Sequence, residues 1–479
     1  MLFRNLAKDT AIYGGADLIS KVIAFFTFPL IAAALSPRSF GSLELIVTIV
    51  GLLGLFVNCG LNNAMHRFYW DSNTSLEQRP VIVSTALTLL LCFSAVFMSI
   101  ILFIMPITAR VLGHFQLPVT FYGIVAATFL LITTQSTQFI QDIIRLHFKP
   151  INFLIYTLLG RVLVALSAVF AVLYFHAGVD GILIAQAAVG IMVFPVGLYL
   201  VRKDITANVS LEWAKTLVRF GHPFIYAGLA YWLFGSMDRW MLASMSSVEE
   251  VGIYSVSYRF ATIVLFASAA FGQAWSPQAI KIKSDHPEIY RSIYSNTLLF
   301  LLYFMLIVGG GVALFSGEII SLLMPEEYLQ SALPLAILCF GIVLQATQQI
   351  TAIGISLEKK TGVLMQMAWL AAGVNLIGNW LMIPHLGAVG AAWATLIAYA
   401  VLTIGYFVRS QNLHPIPVNW FRLGGILFLG CCVLVVSLIF QVSEINMLNV
   451  GEKLFFAAIC IVLGWLLLPL KEIKNVGKA

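Results

Sequence analysis

The sequence predicts an all-α integral membrane protein with about fourteen transmembrane helices, arranged as two six-helix lobes followed by a C-terminal helix pair. Composition, the spacing of apolar segments and an internal repeat carry that expectation. Of 479 residues, 60% are hydrophobic and only 10% charged, and mean hydropathy is +0.95, well outside the range of soluble domains. The formal charge of +6 does not signal nucleic acid, because the basic residues lie singly in short segments without a cluster interleaved with aromatics. The bilayer is the partner that composition requires. Six cysteines lie within or beside apolar runs without CxxC spacing, and buried, inert thiols are expected.

Spans of roughly 20 apolar residues fall at 11–35, 41–60, 81–105, 119–145, 151–175 and 181–201. They continue at 217–243, 252–274, 294–316, 332–356, 361–383 and 388–408, with a last pair at 419–440 and 452–469. The first run is too long for a cleaved signal and is expected to be retained as a helix. This gives lobes at 1–208 and 209–410, then 411–479 with the extra helices and a cytoplasmic tail. With the N-terminus inside, 20 of the 27 Lys and Arg fall in inside segments, and outside segments keep only Arg38, Arg110, Arg239 and Lys453. That bias places both termini in the cytoplasm.

The first six spans and the next six are copies. LSPRSFGSLELI around Gly41 corresponds to MSSVEEVGIYSV around Gly252, 211 residues later. QSTQ at Gln135–Gln138 matches QATQ at Gln345–Gln348 after 210, and HAGVDG from His176 matches HLGAVG from His385 after 209. A six-helix unit re-enters the membrane in its original direction, so the repeat is parallel and its lobes are expected to enclose a central cleft.

Loops are too short to fold alone, so function is expected within the bilayer. No D-x-D cluster, P-loop, H-E-x-x-H or serine elbow is present, so metal and nucleotide chemistry are not expected. Intramembrane charge is the strongest signal, because an Asp, Lys or Arg at a helix centre costs roughly 2.5–3.5 kcal/mol. Lys21 lies about 15 Å from the start of its span by helical rise, near the midplane, and Arg161 reaches a similar depth. Arg259 and Arg239 lie nearer the external side, and the four together suggest a cationic track for an anionic cargo. Asp17, one turn before Lys21, either neutralises it or carries an ion. Gln135, Gln138, Asp142 and Arg145 recur at helical spacing; the glutamines, repeated as Gln345 and Gln348, either line the cleft or join helices. His176 and His385 read as turn residues.

PLIAAALSPRSFGSLELI followed by GLNNAMHRFYW resembles the opening of the bacterial polysaccharide transporter family, the Wzx-type O-antigen flippases of the multidrug/oligosaccharidyl-lipid/polysaccharide exporter superfamily. The stretch from Arg219 to Ala261 is similar to that family's seventh and eighth helices, including Asp238–Arg239 and the V-G-x-Y turn at Val251–Tyr254. The resemblance implies a non-enzymatic flippase in the bacterial inner membrane. It would carry an oligosaccharide on undecaprenyl pyrophosphate, for surface polysaccharides such as O-antigen lipopolysaccharide, to the periplasmic leaflet by alternating access. It implies Lys21 and Arg259 beside a lateral portal, the last two helices as a groove for the lipid tail, and Arg67 and Arg145 as cytoplasmic head-group contacts. Asp17 and Asp142 are candidates for coupling to a proton or sodium gradient or the membrane potential, with no bound cofactor expected. The partners expected are the lipid-linked glycan and polymerase or chain-length machinery, with the transporter itself a monomer. The alternatives are a drug or small-cation antiporter of the same superfamily, which should present acids in its cavity, and a membrane polymerase or glycosyltransferase.

Overall fold

Backbone amides in hydrocarbon must be satisfied within their own segment, and this chain meets that demand with helices throughout. The computed structural model describes residues 2–104, 113, 117–358, 360–441 and 447–469. Its helices are α1 (Leu2–Ala33), α2 (Pro37–Asn58), α3 (Leu61–Tyr69), α4 (Gln78–Phe103), α5 (Phe121–Leu146), α6 (Pro150–Leu173), α7 (Gly178–Val201), α8 (Leu211–Gly221) and α9 (Pro223–Met245). They continue as α10 (Val248–Asp285), α11 (Tyr290–Leu314), α12 (Ser316–Leu323), α13 (Ala332–Thr351), α14 (Ile353–Leu357), α15 (Thr361–Leu413), α16 (Trp420–Ile439) and α17 (Met447–Leu467). No strand occurs among the described residues. Arg110, Lys359, Lys471, Lys474 and Lys478, which bear on the expected topology, lie outside them, as does the tail from 470.

Among the described residues, twelve helical segments are long and apolar enough to cross a bilayer, which makes this a multi-pass membrane protein. One of them, α15, spans 53 residues but breaks at Gly387, whose φ of 53° and ψ of −131° are not helical, so it supplies two crossings. The 23-residue α9, about 35 Å long by helical rise, is more polar and completes fourteen.

The chain forms two compact units, Met1–Ser236 and Met237–Ala479. The division falls inside α9 rather than at the expected 208/209 because the start of that helix packs on α2. The Trp232 indole donates to the Thr48 carbonyl at 2.9 Å, and Gly228 lies where a Cβ would meet the Leu55 side chain. Just before α9, Gly60 and Gly221 bring two backbones so close that a Cβ on either would strike the other segment's main chain. The helix pair α16–α17 belongs to the second unit. There α16 packs on α11 and α13, and the buried Lys453 ammonium meets both oxygens of Glu318 at 2.7 and 2.9 Å.

The duplication extends to backbone detail. Ser36 caps α2 through the amide of Ser39, and Ser247 caps α10 through the amide of Glu250; a cap hydroxyl satisfies one of the amides orphaned at a helix start. Gly178 and Gly387 hold left-handed φ of 58° and 53°, a region open to glycine at little cost. The cysteines depart from expectation in part. Cys59 and Cys339 are buried, whereas Cys92 and Cys431 are exposed on helical faces, because an apolar thiol needs no burial in protein where the surroundings are lipid.

Candidate functional site

Within the N-terminal unit, α1 packs along α6, with the Tyr13 and Phe153 rings 5.1 Å apart. Crossings alternate in direction, so the first and fifth run the same way. Lys21 and Arg161 each lie eight residues past that ring contact, about 12 Å further along by helical rise, and so share one level in the membrane. Both are exposed. Lys21 meets Asp17 at 2.8 Å in a pair 45% and 57% exposed, whereas Arg161 has no acidic partner among the described residues.

Arg161 edges a cavity of about 200 Å³ between α5, α6 and α7, lined also by Gln138, Gln141, Gln186 and several threonines. Gln141 donates to Thr157 Oγ1 at 3.1 Å, which fixes both side chains. On α13, Gln348, the repeat counterpart of Gln138, donates to Thr403 Oγ1 at 3.0 Å, and Gln345 is half-buried nearby.

The α5 stripe continues into a second polar site. Gln135 Oε1 accepts from Asn58 at 3.4 Å, Asn58 donates to Asn62 Oδ1 at 3.1 Å, and Asn62 donates to Asp142 at 2.5 Å. Arg145 lies 3.4 Å from Asp142 and stacks its guanidinium 4.5 Å from the Phe153 ring centre. His66 Nε2 is 3.8 Å from the same carboxylate. Asp142 is thus a buried acid shared among an amide, a guanidinium and an imidazole. Asn58, Asn62 and His66 are not among the candidates read from the sequence, yet their four-residue spacing across NCGLNNAMH is visible there.

A third cluster closes the same end of the unit. His147 Nε2 lies 2.7 Å from Asp204, and the Tyr69 hydroxyl donates to that carboxylate at 3.2 Å. Burial, and then the Asp204 charge, push the Tyr69 hydroxyl up to about 12. Arg79 stacks over Trp70 at 4.4 Å, while Arg67 turns outward to Asp71 at 2.9 Å.

In the C-terminal unit an ion pair lies in the interior. Arg239 is 6% exposed, pairs with Asp238 at 3.4 Å and lies over Tyr258 at 5.1 Å; it is not at the surface of its unit. Near it, Tyr254, Thr395, Asn375 and Asn379 form a buried hydrogen-bonded chain. Arg259 is half-buried on α10.

A sequence model of a family described as polysaccharide biosynthesis protein matches residues 30–333. Among curated relatives, a "probable low-salt glycan biosynthesis flippase" of Haloferax volcanii is 22% identical over 45% of this chain and 46% of its own length. A "capsular polysaccharide biosynthesis protein" of Staphylococcus aureus is 25% identical over 43% of this chain and 54% of its own. The chain therefore spans about half the length of these relatives. An uncharacterized membrane protein of Methanocaldococcus jannaschii is 23% identical and is matched over 84% of this chain and 97% of its own. Among solved structures, a lipid II flippase in an inward closed conformation superposes with a TM-score of 0.75 at 12% identity, covering 94% of this chain and 97% of that one. An inward-facing multidrug resistance transporter gives 0.60 at 15% identity, over 82% and 94%. These superpositions show a shared fold.

Proposed function

This chain belongs to the polysaccharide biosynthesis protein family, and we propose that it is a transporter that flips a lipid-linked glycan across the membrane by alternating access. The observation that carries the reading is the pair Lys21 and Arg161, held at one level of the N-terminal unit, the second without an acid to neutralise it. A lipid pyrophosphate is rejected by hydrocarbon. One unit-charge contact at 4 Å offsets about 4 kcal/mol of that cost at an effective dielectric of 20. Relatives named for glycan flipping and capsular polysaccharide biosynthesis support the same cargo class.

The finer reading is an undecaprenyl-pyrophosphate-linked repeat unit, moved from the cytoplasmic to the periplasmic leaflet of a bacterial inner membrane with both termini cytoplasmic. Lys21 and Arg161 meet the anionic groups of the cargo; in its own unit Arg259 is half-buried and is kept as a cargo contact, whereas Arg239 is paired with Asp238 in the interior and is not. Arg67 and Arg145 receive the head group at the cytoplasmic end. Asp142 is favoured over Asp17 as the ion-coupling acid, because its burial and three polar neighbours make its protonation state matter to the packing around it. Asp142→Asn is expected to abolish transport at unchanged protein level; full transport in that variant would remove Asp142 from coupling. The chain works as a monomer beside the polymerising enzymes.

The fold is shared with multidrug transporters, but the Arg161 cavity carries a base and no carboxylate, which suits an anion better than a cationic drug. The test is a cell lacking its own flippase. Lys21→Ala with Arg161→Ala should leave the protein in the membrane, abolish surface polysaccharide and accumulate its lipid-linked precursor. Wild-type polysaccharide from that variant would overturn the reading.

A further inference from the structure

We infer that the Arg161 cavity is a binding pocket for one carboxylate-bearing sugar ring of the glycan, of the uronic-acid type. This rests on the reading of the cargo as a glycan but concerns a part of it which that reading leaves open. The cavity lies wholly within the N-terminal unit, and no Asp or Glu lines it. Arg161 supplies a planar fork that matches a carboxylate in two parallel hydrogen bonds.

The remaining walls offer what ring hydroxyls need. Gln138 and Gln186 make no hydrogen bond among the described residues, so each presents an amide donor and a carbonyl acceptor. The Thr134 hydroxyl donates to the Leu130 carbonyl at 2.7 Å, and Thr157 accepts from Gln141 at 3.1 Å. Their donor and acceptor roles are thereby partly committed, which orients the lone pairs that stay open. Such a wall of fixed amides and hydroxyls suits a polyol.

Size separates a sugar from a bare ion. A cavity of about 150 Å³ accommodates benzene, so the roughly 200 Å³ here admits a six-membered ring and greatly exceeds the volume of chloride. The pyrophosphate contact of the proposed function is one that Lys21 supplies from outside this cavity, while the cavity itself has one guanidinium and mid-helix walls, fewer donors than a pyrophosphate calls for. Gly160 lies beside Arg161 on the cavity wall, and a Cβ added there meets no atom within 4 Å. A side chain added at 160 therefore starts in open space on the cavity wall.

The experiment uses the full-length protein in lipid nanodiscs and measures equilibrium binding of labelled glucuronate, with glucose, chloride and inorganic phosphate as competitors. Glucuronate should bind at least about tenfold more tightly than glucose, the scale of a charge-assisted hydrogen bond. Arg161→Gln should erase that difference, and Gly160→Leu should abolish binding while retaining wild-type thermal stability. Equal binding of glucose, competition by chloride or phosphate as strong as by glucuronate, or unchanged binding in Gly160→Leu at normal stability would each overturn the pocket. If glucuronate fails to bind while Lys21→Ala still strands the precursor, the pocket falls and the flippase reading stands. If glucuronate binds but Lys21→Ala with Arg161→Ala leaves polysaccharide intact, the flippase reading falls instead.

Discussion

Ser36 caps α2 as Ser247 caps α10, and Gly178 turns the chain as Gly387 does, yet the polar groups mounted on these two frames differ. The N-terminal unit exposes Lys21 and leaves Arg161 at the mouth of a polar cavity. The repeat positions of the C-terminal unit hold Tyr231 and Leu370, 77% and 50% exposed. Outward-facing positions are thus preserved while their charge is not. The second unit instead buries two whole ion pairs, Asp238–Arg239 and Glu318–Lys453. Duplication copied the caps and kinks that set helix geometry, and the charged residues diverged on top of them.

The largest stability effect should come from the interior charges. Lys453→Met leaves Glu318 without its ammonium in an apolar setting and should cost about 3–5 kcal/mol, read as the largest drop in detergent melting temperature among these variants. Asp238→Ala should behave similarly by removing the acid paired with the buried Arg239. If either variant melts like the parent, the contrast between the units breaks. The glycine pair gives a smaller and sharper comparison. Gly178→Ala meets open space and should pay only the left-handed backbone cost, about 1–2 kcal/mol. Gly387→Ala, at a φ of 53° and ψ of −131° that L residues adopt less readily still, also pushes a Cβ to 2.7 Å from the Glu250 carboxylate, which accepts the Ala388 amide at 2.7 Å. It should therefore be clearly the less stable of the two, and equal losses would mean the turns are interchangeable.

Asp17→Asn should cost less stability than Lys453→Met, because the Asp17–Lys21 pair is 45% and 57% exposed whereas Lys453 is 3% exposed; its effect belongs in transport rate. The smallest expected effect is one of pH. His414 is held below its ordinary pKa by burial first, then by the charges of Lys283 and Arg291, with Glu358 opposing. The unfolded chain then binds this proton more readily than the folded one. Stability is unaffected above the ordinary imidazole pKa of about 6.5 and falls as pH drops below it. A melting profile from pH 7.5 to 5 should show that decline, reduced in His414→Asn.

The helical architecture, the duplication and the Asp17–Lys21 pair were legible because each is written in residues close together or at a constant offset. The junction at Ser236 was not, because it depends on Trp232 finding Thr48, 184 residues away on α2, and on Gly228 finding Leu55 of the same helix. Arg239 read as an external track residue because hydropathy reports distance along the chain and not which side of a helix is covered. The Asp142 network was half legible. Its acid was singled out on α5, but its amide and imidazole partners lie on α2 and α3, where only tertiary packing brings them within reach.

The most direct test of the central claim is the sidedness of the lipid-linked precursor in cells carrying Lys21→Ala with Arg161→Ala. The expected result is normal protein level, with precursor confined to the cytoplasmic leaflet and protected from an impermeant external reagent. Precursor reaching the outer leaflet at the wild-type rate would contradict it.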